Sequence, residues 1–387
     1  MSLPPLDADA LLAAAQEATG LHDFGDPTLP ARVGLAVESL QRACPDAEGR
    51  RAAAEIALDL LVSRLELFED RNRYPIKREV VERPLFATGE PRSGTTLLHA
   101  LLAVDPNGRS LRFWEVFHPS PPPGLAADDD PRKAWADQYW RNAMKRMPKW
   151  LINHPYNDML GDGLPECEIA WAFDFPSLGP IVWWRTKIKI DMVGLPVDHA
   201  AQYRLHKMVL QQCQYARPRR YWVLKGFHGP RLAALFETYP DARIIWTHRD
   251  PLQAMASRIA MVGELDEEMS GSVDWAKTAK IYLAQSRASM QATLASPFLD
   301  DPRIHHVRYA DFLADPVSVI RGFYDACQIP FTDAFAANIR RYLAENRSDR
   351  YGKFKYSLDL IGEDLDALQE EFAPYRARFG LEVEPRK

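Results

Sequence analysis

The sequence predicts an α/β fold, a P-loop-like three-layer arrangement with a central, mostly parallel sheet, a helical N-terminal arm and an inserted helical cap. Two observations predict it. First, the apolar run PLFATG passes through the loop EPRSGTT into the helical pattern LLHALLAV, which spells strand, loop and helix. Second, two more strand–helix pairs follow, RYWVLKG with PRLAALFETY and ARIIWTHRD with PLQAMASRIAMV. Successive β-α units with right-handed crossovers give a largely parallel sheet flanked by helices.

From 7 to 72 apolar residues recur at helical spacing, as in LPARVGLAVESLQRA and RRAAAEIALDLLVSRLELFEDRNR, interrupted at Asp26 and Pro27. This is the arm, residues 1–80. The α/β core is expected over 81–330 and carries a helical insertion at about 113–217. Within it SPPPGLAADDDP, residues 120–131, cannot continue a helix through its prolines and reads as an exposed loop. Residues 133–217 then alternate helical patterns with tryptophan and tyrosine. Pro251 suits the first turn of the helix after ARIIWTHRD. RIHHVRYADFL supplies a further strand and VSVIRGFYDAC a helix, and the tail, 331–387, is mostly helical.

The chain has 387 residues and a formal net charge of −5, which argues against a broad nucleic-acid footprint but leaves room for a small basic pocket. Four cysteines, Cys44, Cys167, Cys213 and Cys327, lie far apart and read as reduced thiols. The opening MSLPPLDADALLAAAQEATG is acidic where a signal peptide would be basic, and no apolar stretch approaches the ~20 residues that span a bilayer. A cytoplasmic location is expected. No HExxH motif or cysteine–histidine cluster suggests a metal, and none is expected.

The strand-to-helix junction Gly89-Glu90-Pro91-Arg92-Ser93-Gly94-Thr95-Thr96 is where an anion can meet uncompensated backbone N–H groups and the positive end of a helix dipole. Its spacing is near that of a Walker A loop, but Thr95 stands where the lysine would reach the β- and γ-phosphates of a triphosphate. A shorter phosphate chain is better suited, with the planar cationic fork of Arg92, the Ser93–Gly94 turn, and hydroxyls from Thr95 and Thr96. An ordinary strand-to-helix turn would show the same glycine and threonines.

GEPRSGTTLL resembles the 5′-phosphosulfate loop of the sulfotransferases that use PAPS, above all the bacterial and tyrosylprotein branches, which place arginine where the cytosolic branch has lysine. Arg92 takes that basic position. In WTHRDPLQAMAS, Arg249 and Ser257 reproduce the family's 3′-phosphate pair at a spacing of eight residues. YADFLADP is similar to a tyrosine-containing strand end of the family, which puts Tyr309 near the adenine. The resemblance covers about 84–329 in ordered pieces. It implies PAPS as donor, PAP as product, and in-line transfer of a sulfuryl group to a hydroxyl or amine acceptor without a metal.

Such a transfer needs a base for the acceptor's proton and cations for charge building on the bridging oxygen. Lys225, at the end of RYWVLKG, matches a lysine that contacts the transferring group in related enzymes; a solvated strand-end lysine would look the same. Two residues compete as base. Glu115, in FWEVFHP, resembles the glutamate that follows the phosphate loop in the tyrosylprotein branch, two residues late. His228, in LKGFHGP, resembles the histidine after the corresponding lysine of the cytosolic branch, at a longer separation. In the tail, Arg350, Lys353 and Lys355 around Gly352 resemble the basic–glycine segment that closes over the 3′-phosphate, and a solvated charged face is the other reading.

FWEVFHPSPPP, LPECEIAWAFDFPS and VWWRTK are dense in aromatics that could line an acceptor pocket, although most such residues are plain core. Glu166 and Glu168 resemble an acidic pair of the bacterial branch. The acceptor is expected to be a small molecule or peptide, with no nucleic-acid partner and no membrane span, and the arm is a candidate homodimer face. Two rival readings remain: a P-loop small-molecule kinase or NTPase, and a non-catalytic nucleotide-binding scaffold that keeps the fold without turnover.

Overall fold

A computed structural model of the chain describes residues 3–44, 46–178, 181, 197–218 and 220–385. In chain order, helices α1 (Ala8–Thr19), α2 (Leu29–Ala43) and α3 (Ala47–Arg73) precede strand β1 (Leu85–Gly89), helix α4 (Thr95–Leu102) and the two-residue β2 (Gly108–Arg109). Helices α5 (Phe113–Phe117), α6 (Pro131–Arg146), α7 (Trp150–Asn153), α8 (Glu168–Trp171) and α9 (His199–Gln214) follow. Then come β3 (Tyr221–Lys225), α10 (Leu232–Thr238), β4 (Arg243–His248), α11 (Pro251–Ser270), α12 (Trp275–Leu294) and β5 (Ile304–Arg308). The last helices are α13 (Tyr309–Ala314), α14 (Pro316–Ala326), α15 (Asp333–Glu345), α16 (Leu365–Glu371) and α17 (Ala373–Phe379).

These elements divide into two units. One comprises Met1–Val81, Leu111–Ala143 and Leu160–Arg219. Its first helices start where side chains satisfy orphan N–H groups: Asp7 accepts from Ala10 N at 2.9 Å and Asp46 from Gly49 N at 2.7 Å. Leu11, Leu29, Val33, Leu40, Leu61 and Leu65, the helical-period positions of the arm, are fully buried. Two arginines of α3 show why arm and insertion fold together. Arg64, buried, donates to Phe24 O at 2.8 Å and Phe173 O at 2.9 Å, and Arg71 donates to Gln211 Oε1 at 2.9 Å. The VWWRTK segment of the expected cap lies outside the described residues.

The second unit, Glu82–Ser110, Met144–Met159 and Arg220–Lys387, holds the whole sheet. Strand order is β2-β3-β1-β4-β5, every described pairing parallel, with Phe86 opposite Leu224 on one side and Ile244 on the other. β1 is buried throughout, as a central parallel strand covered on both faces must be. On one face Leu98, Leu101 and Leu102 of α4 pack with Val223, Ile245, Val307, Phe312 and Phe323. A second cluster joins Leu252, Met255 and Ile259 of α11 to Leu283 of α12 and to Phe372 and Tyr375 of the tail.

The structure departs from the expected strand RIHHVRYADFL: β5 ends at Arg308, and Tyr309 opens α13. YADFLA has a strand-like aromatic, but Phe312 one turn on reaches the core beneath α4 only if the chain coils. The α/β class and parallel sheet are as the sequence predicts. β2 has no counterpart in that reading, because two residues carry no period.

Candidate active site

The phosphate loop gets its shape from close backbone approaches. Gly94 has φ +87°, and a Cβ there would stand 2.8 Å from the Tyr309 ring. At Gly89 a Cβ would meet Ser93 Oγ and Thr247 Oγ1, each at 2.5 Å. Ser93, fully buried, is spent on the loop itself: its hydroxyl donates to Glu90 O at 2.6 Å and meets Thr247 Oγ1 at 2.9 Å. Gly94 offers α4 no side-chain cap, so the first N–H groups of α4 stay available to an anion. The loop's one acid turns inward, where burial raises the Glu90 carboxyl pKa and Ser289 donates to it.

Arg92 lies across this loop with φ +73°. Its Nε donates to Ser257 Oγ at 2.9 Å, its Nη1 to Asn153 O at 3.0 Å, and its guanidinium rests over Phe354 at 4.9 Å. Burial, then repulsion from Arg249, lowers its pKa to about 10, so it stays charged at neutral pH. The expected pair Arg249 and Ser257 is brought to the same place: Arg249 Nη1 donates to Arg92 O at 3.0 Å, and its guanidinium sits over Tyr309 at 4.7 Å. Arg92, Ser257, Arg249 and Tyr309 thus converge from the loop, α11, the end of β4 and the start of α13. Burial also raises the Tyr309 phenol.

Lys225 ends β3 beside β1, buried, with its Nζ 3.3 Å from Thr96 Oγ1. The cation therefore reaches the first turn of α4. Of the tail residues, Phe354 and Tyr356 turn inward, while Lys353 and Lys355 are exposed. Tyr356 Oη accepts from Arg249 Nη2 at 2.9 Å and donates to Gln253 Oε1 at 2.9 Å. The alternation in KFKY is real, and the aromatic half of it faces the arginines.

The two candidate bases differ in setting. His228 is fully buried, its ring edge-on to Phe86 at 4.9 Å and its backbone N–H donating to Thr88 Oγ1 at 3.0 Å. Glu115 belongs to the helical unit and is buried; its Oε2 accepts from Arg112 N at 3.1 Å and its Oε1 from Arg217 Nη1 at 2.9 Å. It closes the start of α5 as a capping box.

Sequence reasoning missed two neighbours of the arginines. One is the 153–154 pair: beyond Asn153 O, the His154 ring stacks on Trp150 at 4.1 Å, and its Nδ1, sealed from solvent, makes no hydrogen bond. Burial, with the cations of Arg92 and Lys225 nearby, lowers its pKa to about 3, so the ring is neutral. The other is Glu384, whose carboxylate takes both Nε and Nη2 of Arg249 at 2.8 and 2.9 Å. No local pattern marks either.

Among the described residues no cluster of His, Cys, Asp and Glu is suited to a metal, and no helix is long and apolar enough to cross a membrane.

Comparison with known proteins bears on the family and the fold. Residues 84–174 and 187–333 match the sequence model of the Sulfotransferase family. The chain is 24% identical over 296 residues to omega-hydroxy-beta-dihydromenaquinone-9 sulfotransferases of Mycobacterium bovis and Mycobacterium tuberculosis, covering 72% of this chain and 71% of each relative. The crystal structure of sulfotransferase STF9 from Mycobacterium avium superposes with a TM-score of 0.81 at 28% identity, covering 98% of both chains. That of sulfotransferase STF1 from Mycobacterium tuberculosis shares the fold, with a TM-score of 0.73 at 24% identity over 95% of this chain and 98% of its own. The loop read as a phosphosulfate cradle and the strand-end arginine both fall inside the matched residues. The chain belongs to the sulfotransferase family.

Proposed function

We propose that this sulfotransferase takes its sulfuryl group from PAPS and passes it to the hydroxyl of a small apolar alcohol. The observation that carries the donor assignment is the convergence of Arg92, Ser257 and Arg249 beside an uncapped helix start. The carboxylate fork on Arg249 supports the fit, because that guanidinium donates two hydrogen bonds to one oxyanion there. When bound, the donor supplies the sulfuryl group and leaves as PAP.

In this reading the α4 N–H groups, Thr95 and Thr96 hold the 5′ end, and Arg92 and Lys225 carry charge that builds on the bridging oxygen. Arg249 and Ser257 hold the 3′-phosphate, and Tyr309 lies along the adenosine. Lys353 and Lys355 are exposed, so they would add long-range attraction for the nucleotide rather than contacts of a closed site. The arm of 1–80, the core of 81–330 with its insertion, and the tail of 331–387 are proposed as the functional divisions. A cytoplasmic location and a homodimer through the arm belong to the same proposal. The acceptor class rests on the mycobacterial relatives, which are named for a hydroxylated menaquinone acceptor.

For the base we propose Glu115 ahead of His228. Its carboxylate is oriented by Arg217 and Arg112, as a positioned base must be. His228 is fully enclosed and braces Thr88 of β1. Glu115→Gln is expected to lower kcat about 100-fold with PAP affinity unchanged, and His228→Ala to lower it less than about tenfold. Single-turnover rates beside calorimetric PAP affinities check this; the reverse ranking makes His228 the base.

The proposal as a whole is tested by titrating the protein with PAP and, separately, with ATP and magnesium. Binding of PAP that is weakened about tenfold or more by Arg92→Ala and by Arg249→Ala, with ATP ignored, is the expected result. ATP binding with PAP ignored would replace the reading with a kinase, and PAP binding without transfer to any hydroxylated acceptor would leave a scaffold.

A further inference from the structure

The chain leaves α17 through Gly380, at φ +61°, and segment 381–385 then runs back to the start of α11. Glu384 N donates to Asp250 Oδ2 at 2.9 Å, and Pro385 O accepts from Gln253 Nε2 at 2.8 Å. Between them the Glu384 carboxylate faces Arg249 with both oxygens, at 2.8 and 2.9 Å. Nη1 of that arginine is already given to Arg92 O, so Glu384 consumes the two-toothed edge that a phosphate would use.

The contact is strong where it matters and weakly anchored elsewhere. The Arg249 side chain is 9% exposed, and although its burial opposes the charge, the hydrogen bonds it donates to Glu384 outweigh that and raise its pKa. By contrast, Glu384 is 27% exposed, Val383 is 56% exposed, and Leu381 is only partly buried. Release of the segment would uncover little apolar surface, so its polar contacts to Arg249, Asp250 and Gln253 are what chiefly hold it.

We infer that segment 381–385 is an intramolecular competitor of the donor nucleotide, with the Glu384 carboxylate standing on Arg249 where the 3′-phosphate binds. This rests on the assignment of Arg249 to that phosphate. A carboxylate brings one negative charge and two oxygens, a phosphate monoester up to two charges and three oxygens, so the nucleotide outcompetes the tail at sufficient concentration. Nucleotide entry and tail release are then one exchange. The tail sets a threshold: at low donor concentration Arg249 is closed, and the buried cation is never left without an anion. Tyr356, whose Oη accepts from Arg249 Nη2 and donates to Gln253 Oε1, keeps its hold on the arginine during the exchange.

The test is PAP affinity by calorimetry in the full chain, in Glu384→Gln and in a chain ending at Gly380, each with and without Arg249→Ala, together with hydrogen exchange of the Glu384 amide. Glu384→Gln removes the charge and leaves a side chain of the same shape, so folding is not at stake. PAP is expected to bind roughly five- to twentyfold tighter in both tail variants, an advantage that vanishes with Arg249→Ala. In the full chain, saturating PAP should raise exchange at the Glu384 amide. Unchanged or weaker PAP binding in Glu384→Gln, or an amide that stays protected when PAP is bound, would overturn the competition and leave the donor site standing. Failure of PAP to bind any form, the truncated chain included, would remove the donor site itself.

Discussion

Arg92→Ala is expected to reduce kcat/KM about 1,000-fold and PAP affinity by a smaller factor, about tenfold. The guanidinium ties the phosphate loop to α11, through Ser257 Oγ at 2.9 Å, and to α7, through Asn153 O at 3.0 Å. Truncation therefore removes a cation and two restraints together. Arg92→Lys separates these effects. A lysine keeps a point charge but cannot make two fixed contacts and rest flat on Phe354, so it should recover much of the PAP affinity and little of the turnover. Steady-state rates with a hydroxylated acceptor beside calorimetry for PAP give both numbers. Full recovery of kcat by lysine would mean that charge alone matters and that the contacts to Ser257 and Asn153 are incidental.

Where the sequence was legible, one rule carried the reading: a strand that ends in a loop and opens a helix places its chemistry at the carboxyl edge of the sheet. That rule applies to Gly89–Thr96, to Lys225 at the end of β3 and to Arg249 at the end of β4, because each side chain is fixed by its own local element. It fails for groups that arrive from afar. Asn153 meets Arg92 across 61 positions of sequence and Glu384 meets Arg249 across 135, and neither segment carries a motif. In KFKYSL charge drew attention to Lys353 and Lys355, yet Phe354 and Tyr356 contact the arginines, since in a buried setting a flat ring over a guanidinium competes well with a second cation. The strand expected over RIHHVRYADFL stops at Arg308, and the need to place Phe312 under α4 turns YADFLA into a helix.

Gly94→Val should abolish measurable PAP binding and lower the folding free energy by about 2–4 kcal/mol, the sum of a left-handed backbone forced on a β-branched residue and a steric conflict in the core. The first part follows from φ +87°, the second from the Tyr309 ring 2.8 Å from the new Cβ, with Phe312 at 3.7 Å behind it. Neither neighbour can retreat easily: the Tyr309 ring carries the Arg249 guanidinium at 4.7 Å, and Phe312 is fully buried in the cluster under α4. The strain must then be relieved by moving the start of α4 away from Tyr309, which disperses the N–H groups that an anion would meet. Gly94→Ala separates the two parts, since alanine keeps most of the backbone strain and the close Cβ contact but lacks the valine branches. Denaturant midpoints should fall in the order wild type, alanine, valine, while PAP affinity collapses already at alanine. An alanine variant with wild-type affinity would show that the loop can bind nucleotide in a second backbone conformation, and that the tight approach of Tyr309 serves stability alone.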